Sequence, residues 1–468
     1  MIASLRPLLL VPALAAVACA AEKIDLKFSF SGKPVAGATA VKADDAYNVN
    51  RTYGFDLGSK VTFVAQDGGG FVTGEHNRPF FFSTRLEPGV YRVGVTLGDA
   101  AAESVTTVKS ETRRLMLEAV RVPAGQKKTF SFLVHVRVPR IPGGELVRLK
   151  NREKDPILYL QWDPADASTR LPFIELDWDE KLTLEFSDTH PALAALEIGN
   201  VEKFTTVYLI GDSTVTDQMM EPWGAWGQQL PRWFKSPVVI ANYAESGETT
   251  ASFISELRWK KLLSEIQPGD YVLMQFGIND QRMQVEQFKD YFVRFIRETR
   301  EHGATPVLVS SQNLRRLDEH GKAVQTLRNF PDAMRDAAKE NNAAFIDLNA
   351  MSGTLYEAIG PEKLPQAFVD GTHQNMYGSY ELAKCVVNGI LAAKLPFADG
   401  NLADDWKPFD PAHPDPMEDF KLPPDPQIDP SRPGGPGAPD RRGPMAGDVP
   451  RTASPAPAPT PSASPTQK

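Results

Sequence analysis

The feature that most restricts the fold is a change of rhythm near Phe204. Beyond it, short apolar runs at 206–210, 238–243, 271–276, 306–310 and 344–348 alternate with segments of helical period around 226–234, 253–263, 285–301 and 327–341. Apolar runs of about five residues read as strands buried on both faces. Strands separated by helices build a mostly parallel sheet with helices on each side. The spacing therefore predicts a three-layer α/β/α domain over residues 204–397.

Residues 21–203 follow a different pattern. Runs at 27–30, 60–65, 89–97, 128–138, 157–161 and 181–186 are short, alternating or β-branched, with Gly, Pro, Asp and Asn between them. This predicts a β-sandwich, since no stretch here is long and 3.6-periodic enough for a helical domain. Past Phe397 the composition shifts again: 18 of the 39 prolines fall between Pro408 and Lys468. Residues 398–468 are read as a Pro-rich tail with polyproline tendencies, whose start is pinned to the preceding domain by Trp406, Phe409 and Phe420.

At the other end, Arg6 is the only charge in residues 1–20, an apolar run follows it, and Ala18-Cys19-Ala20 has the small-x-small form of a signal-peptidase site. A signal peptide is expected there, with export to the periplasm or the exterior. Acylation of Cys19 to anchor a lipoprotein is the alternative, disfavoured by Ala16 where a bulky aliphatic residue is wanted. No later run approaches 18 apolar residues, so no stable membrane span is expected. The 51 Lys and Arg against 59 Asp and Glu leave a net charge of −8. That balance offers no bulk attraction to nucleic acid or anionic membranes. Removal of the leader leaves Cys385 as a lone thiol with no disulfide partner.

Four loops after the strand candidates carry the chemistry. Gly211-Asp212-Ser213-Thr214 follows the first strand run and sets Ser213 at the carboxyl edge of the sheet, where open α/β folds place ligands. Alone it is a common turn or helix cap. Gly247, in Glu245-Ser246-Gly247-Glu248, follows the second run and can bring its backbone N–H close to a ligand. Asn279, in Gly277-Ile278-Asn279-Asp280, follows the third and offers a neutral amide donor to a developing oxyanion. Asp370-Gly371-Thr372-His373 can set a carboxylate against Nδ1 while Nε2 faces a hydroxyl, although an isolated histidine of this kind is more often structural. Asp212 and Asp280 are read as structural partners of loop amides. His302, His320 and His413 have no ligand-spaced partner, so no metal site is expected.

With these residues in hand, the stretch from Val207 to His373 resembles the SGNH, or GDSL-like, hydrolase superfamily, and within it the rhamnogalacturonan acetylesterase branch. The resemblance implies that Ser213 is the nucleophile, His373 the general base and acid, and Asp370 its orienting partner. It also implies an oxyanion hole formed by the N–H groups of Ser213 and Gly247 with the Asn279 amide, and no cofactor or metal. Trp223-Gly224-Ala225-Trp226-Gly227-Gln228 and Arg315-Arg316 resemble further segments of the branch, which makes Trp223, Trp226, Arg315 and Arg316 candidates for substrate contact. Helical spacing makes at least one of Trp223, Trp226 and Trp233 a core residue.

The expected partner is an acetylated polysaccharide, pectic and specifically rhamnogalacturonan, with xylan, another glycan or small esters as alternatives. The prefix resembles the somewhat galactose-binding-like sandwich that precedes some bacterial acetylesterases. Tyr47, Tyr53, Phe55, Trp162 and the run from Glu75 to Phe80 suit sugar contact, though a β core also needs aromatics. A scaffold that shapes the catalytic groove, with Arg113-Arg114-Leu115-Met116 in the contact, stands beside that reading. A non-catalytic carbohydrate-binding envelope protein is the reading from a different class.

Overall fold

The computed structural model describes residues 24–48, 50–66, 69–149, 158–160, 171–173 and 176–423. The leader with Cys19, Trp162 and the tail beyond residue 423 lie outside the described residues.

In the first domain the alternating runs become two facing, largely antiparallel sheets. In Gly89–Leu97, Tyr91, Val93, Val95 and Leu97 are buried while Arg92 is exposed, as period-two geometry requires. This strand lies between Lys128–Val136 and Leu193–Asn200 in a seven-stranded sheet. The opposing five-stranded sheet runs Tyr53–Asp56, Phe80–Arg85, Lys181–His190, Ser104–Ser110, Arg114–Val122. Phe28, Phe30, Phe82, Val93, Phe132 and Phe186 fill the space between them. Residues 158–160 form a strand within the expected run at 157–161 and pair with Leu171–Phe173.

The second domain is a five-stranded parallel sheet. Its spatial order is Val238–Asn242, Thr205–Gly211, Tyr271–Gln275, Thr305–Val309, Ala344–Ile346. Helices cover both faces. Leu348–Ile359 and Met376–Ala392 lie against one, and Val285–Glu301 and Phe330–Glu340 against the other. Strand order reverses beside Thr205–Gly211, and in such open sheets the crevice at the reversal, outside the carboxyl ends, is where ligands bind. The predicted helix over 253–263 is two short helices, Thr250–Ser255 and Arg258–Leu263, because Leu257 between them adopts a left-handed conformation. Leu348–Ile359 was not legible as a helix, since Asn349, Ser352 and Gly353 occupy buried positions where the apolar stripe should run. The chain also stays packed beyond 397. Trp406, Phe409 and Phe420 lie against a core of the α/β domain, and the Arg232 guanidinium grips Asp405 through Nη1 at 3.1 Å and Nη2 at 2.5 Å. Among the described residues no helix is long and apolar enough to cross a membrane.

The two domains share buried groups. Leu115 of the sandwich belongs to one core of the α/β domain, and Ile141, Val147, Leu149 and Trp178 belong to the other. Arg114 lies between them, almost wholly buried, donating from Nε to Asp217 at 2.6 Å and from Nη2 to Asp177. Burial works against charge on Asp177, yet Arg114 and Arg137 hold its carboxyl below the ordinary range. Burial pushes Asp217 up to about 7 against the pull of Arg114. Glu118 accepts from Arg232 Nε at 3.0 Å and from the Tyr380 hydroxyl at 2.7 Å, a second tie across the same contact.

Arg114→Ala takes the ion-pair partner from Asp217 and one of two flanking arginines from Asp177, a loss of about 3–5 kcal/mol for a broken buried pair. The Asp217 carboxyl, already raised in the folded state, takes up a proton as pH falls, so the deficit shrinks on acidification. Urea unfolding should show the variant destabilised more at pH 8 than at pH 5. An equal deficit at both would contradict this account of the contact.

Candidate active site

Strand Thr205–Gly211 ends in a residue that must be glycine. A Cβ on Gly211 would stand 2.6 Å from Val215 Cγ2 and 2.7 Å from the Gln275 carbonyl oxygen. The turn it permits places Ser213 at the carboxyl edge, 7% exposed. Asp212 turns inward, where its Oδ1 accepts from the Thr214 N–H at 2.9 Å and hydroxyl at 2.7 Å, and burial raises its carboxyl above the ordinary range.

Ser213 Oγ lies 2.8 Å from His373 Nε2. On the far side of the ring, Nδ1 is 2.9 Å from Asp370 Oδ2 and 3.1 Å from Oδ1. Asp370 Oδ1 also accepts the backbone N–H groups of Thr372 and His373, each at 2.8 Å. Burial opposes ionisation of Asp370, but hydrogen bonding and charge from His373, together with those two amides, bring its carboxyl down to about 2. A carboxylate so held orients the ring with Nδ1 protonated and leaves Nε2 free to accept the serine proton. The short Asp-x-x-His spacing is closed by the Val369 N–H donating to the His373 carbonyl at 2.8 Å.

The strand order puts the Ser213 loop between the loops that carry Gly247 and Asn279. Gly247 has φ of 77°, a left-handed turn, and is exposed. Asn279 is exposed as well, and its Nδ2 donates to the Glu248 carbonyl at 3.0 Å, joining the two flanking loops and leaving a second amide hydrogen. Asp280 ties the same loops from beneath. It accepts from the Thr250 N–H and hydroxyl, both at 2.8 Å, and from the Gly277 N–H at 3.1 Å. Burial pushes the Asp280 carboxyl up to about 6. Arg258, fully buried, donates to Glu245 at 2.6 Å and braces the Gly247 loop from the other side.

The remaining candidates divide. Trp223 is half-buried and pairs by a backbone bridge with Asn375, two residues beyond His373. The Arg315 N–H donates to the Gly371 carbonyl at 2.9 Å, so its loop borders the Asp370–His373 turn, and Arg316 beside it is exposed. Trp226 is not a substrate contact. It is fully buried in the core, and its indole N–H donates to Gln275 at 2.8 Å. Trp233 is also a core residue, packed against Tyr380 and Trp406. Sequence reasoning missed Gln218, whose Nε2 donates to the Ser213 carbonyl. No motif marks it; the contact follows from how the loop folds back on itself.

Residues 209–379 match the model of the GDSL-like Lipase/Acylhydrolase family, and residues 26–116 match that of the Beta-agarase/YXIM esterase-like, galactose-binding domain-like family. Rhamnogalacturonan acetylesterase RhgT of Bacillus subtilis (strain 168) is 38% identical over 220 residues, which cover 42% of this chain and 95% of that protein. The uncharacterized esterase YxiM of the same organism is 26% identical over 398 residues, 79% of this chain and 92% of the other. A crystal structure of the YxiM protein, 24% identical, covers 80% of this chain and 99% of that one with a TM-score of 0.42.

A serine, histidine and aspartate hydrogen-bonded in sequence at the edge of a parallel sheet define the class of the serine hydrolases. Within that class the chain belongs to the GDSL-like lipase/acylhydrolase family and is a carboxylic ester hydrolase with a galactose-binding-like domain in front.

Removal of the Asp280 carboxylate tests the bracing of the Asn279 loop. Asp280→Ala strands the buried Thr250 and Gly277 N–H groups, at about 1–3 kcal/mol for each unsatisfied donor. Thermal melting should show the loss, and turnover of a small ester should fall with it as the Asn279 amide drifts. A variant with unchanged melting and turnover would show that the loop is held by other means.

Proposed function

We propose that this protein removes acetyl groups from a pectic polysaccharide, in its rhamnogalacturonan part, with Ser213 as nucleophile. The observation that carries the reading is the run of contacts from Ser213 Oγ through His373 to Asp370, 2.8 Å and 2.9 Å long. The choice of acetyl group and polymer is supported by the relative named rhamnogalacturonan acetylesterase, which aligns along 95% of its own length.

His373 Nε2 takes the serine proton as Oγ attacks the acetyl carbonyl carbon. Asp370 holds the ring and stabilises the imidazolium that forms. The carbonyl oxygen, now negative, is received by the N–H groups of Ser213 and Gly247 and by the Asn279 amide, each aligned donor worth about 3 kcal/mol in the transition state. The intermediate collapses with cleavage of the bond to the sugar oxygen, which His373 protonates so that the sugar leaves as a free hydroxyl. Water attacks the acetyl-serine, again losing its proton to Nε2, and acetate leaves with the serine restored. Trp223 and Arg315, whose backbones adjoin the Asp370–Asn375 segment, and the exposed Arg316 are assigned to the glycan.

Acetate release from a panel of acetylated rhamnogalacturonan, xylan and small soluble esters tests the assignment. The highest kcat/KM is expected on rhamnogalacturonan. Ser213→Ala should abolish release without unfolding the protein, and Asp370→Asn should lower kcat by about 10⁴-fold by allowing the wrong tautomer. Low, equal rates on all polymers with fast turnover of small esters would overturn the substrate, and unchanged turnover by Ser213→Ala would overturn the nucleophile. Sugar binding by the first domain with no hydrolysis of any ester by the whole chain would make it a binding protein instead.

A further inference from the structure

We propose that Arg113, contributed by the sandwich, is a positioning residue for the reaction: its guanidinium clamps the segment that carries Ser213 to the segment that carries His373. The inference rests on the roles given to those two residues above.

Arg113 stands at the tip of the turn between strands Ser104–Ser110 and Arg114–Val122, 5% exposed. Its Nη1 donates to two carbonyls of the nucleophile loop, Gln218 at 3.0 Å and Trp223 at 3.2 Å. Gln218 in turn donates from its side chain to the Ser213 carbonyl, so the fork is one residue removed from the nucleophile. On the other side, Nη2 lies 3.1 Å from Met376 Sδ and 3.6 Å from Glu221 Oε1. Met376 opens the helix that begins just after His373. The two segments meet directly beneath this point, where the Gly224 N–H donates to the Gln374 carbonyl at 3.0 Å and Trp223 bridges to Asn375.

The turn that presents Arg113 is itself held from several sides. Glu111 and Arg113 have φ of 51° and 59°, values that non-glycine residues hold only where the surroundings fix them. The Arg113 N–H donates to the Glu111 carbonyl at 2.7 Å, and the Leu176 N–H donates to the Thr112 hydroxyl at 3.0 Å. Gln228 Nε2 donates to both the Thr112 carbonyl at 3.0 Å and the Gln218 carbonyl at 2.9 Å, locking the turn to the loop it serves. A flat fork of donors can reach two carbonyls and a sulfur at once, whereas an ammonium on a flexible stem cannot hold the same set.

Arg113→Lys keeps a positive charge beside Glu221 but loses the fork. For a small soluble acetyl ester its kcat should fall by about 10- to 100-fold, the scale of a small misplacement of reacting groups, with KM within about twofold and an intact melting transition. Gln218→Met, which leaves the domain contact untouched, should lower kcat in the same manner. The double variant should lose little more than the worse single one, because both act along one route. Wild-type kcat in folded Arg113→Lys, a change confined to KM, or losses that multiply in the double variant would each overturn the proposal. Ser213→Ala, measured alongside, separates the two readings. If it still turns over, the nucleophile is wrong; if it is inactive while Arg113→Lys is fully active, only the role of Arg113 fails.

Discussion

A hydrogen bond between a serine hydroxyl and an imidazole weakens steeply with distance and angle, and here its two ends lie 160 residues apart in the chain. Much of the surrounding structure acts to keep that 2.8 Å contact. Gly211 allows the sharp exit that presents Ser213. The two amides at 2.8 Å that fix Asp370 also fix the path of the backbone into His373. The reversal of strand order sets donor-bearing loops on either side of the serine, and Asp280 binds those loops together beneath the surface.

The first domain enters the same argument through its buried charges. Taking Arg114, Asp177 and Asp217 out of water has a desolvation cost that their mutual attraction largely offsets, so such groups add little net stability compared with a well-packed apolar contact. Their geometry is nonetheless demanding. Arg114 of the sandwich reaches Asp217 of the α/β domain, and the neighbouring Arg113 reaches the carbonyls of Gln218 and Trp223 across the same contact. The galactose-binding-like domain is thereby part of the environment of the loop that carries Ser213.

What the sequence disclosed follows from how local each signal is. Helix Val285–Glu301 was legible to its ends because Phe288, Phe292, Phe295 and Ile296 repeat on one face. Ser213, Asp370 and His373 were legible because each sits in a short motif at a strand exit or a tight turn. Strand Ser104–Ser110 was not, since all seven of its residues are buried although most are Ser, Thr or Lys. Lys109 is satisfied there by Glu185 at 3.0 Å, a partner 76 residues away that no local pattern announces. Gln218 stayed hidden for a similar reason, and Trp226 stood as a candidate for sugar contact because its motif, not its environment, was visible. The Arg113-Arg114 pair was visible as a candidate contact, but its separate partners came only from the folded arrangement.

The central claim is that Ser213 is made nucleophilic by His373, and a covalent trap reads it most directly. An organophosphonate ester that mimics the tetrahedral intermediate, followed by peptide mass spectrometry, should place one adduct per chain on Ser213, and its rate of formation should collapse in folded His373→Ala. An adduct on another residue, or labelling of Ser213 at an undiminished rate without the imidazole, would contradict the account.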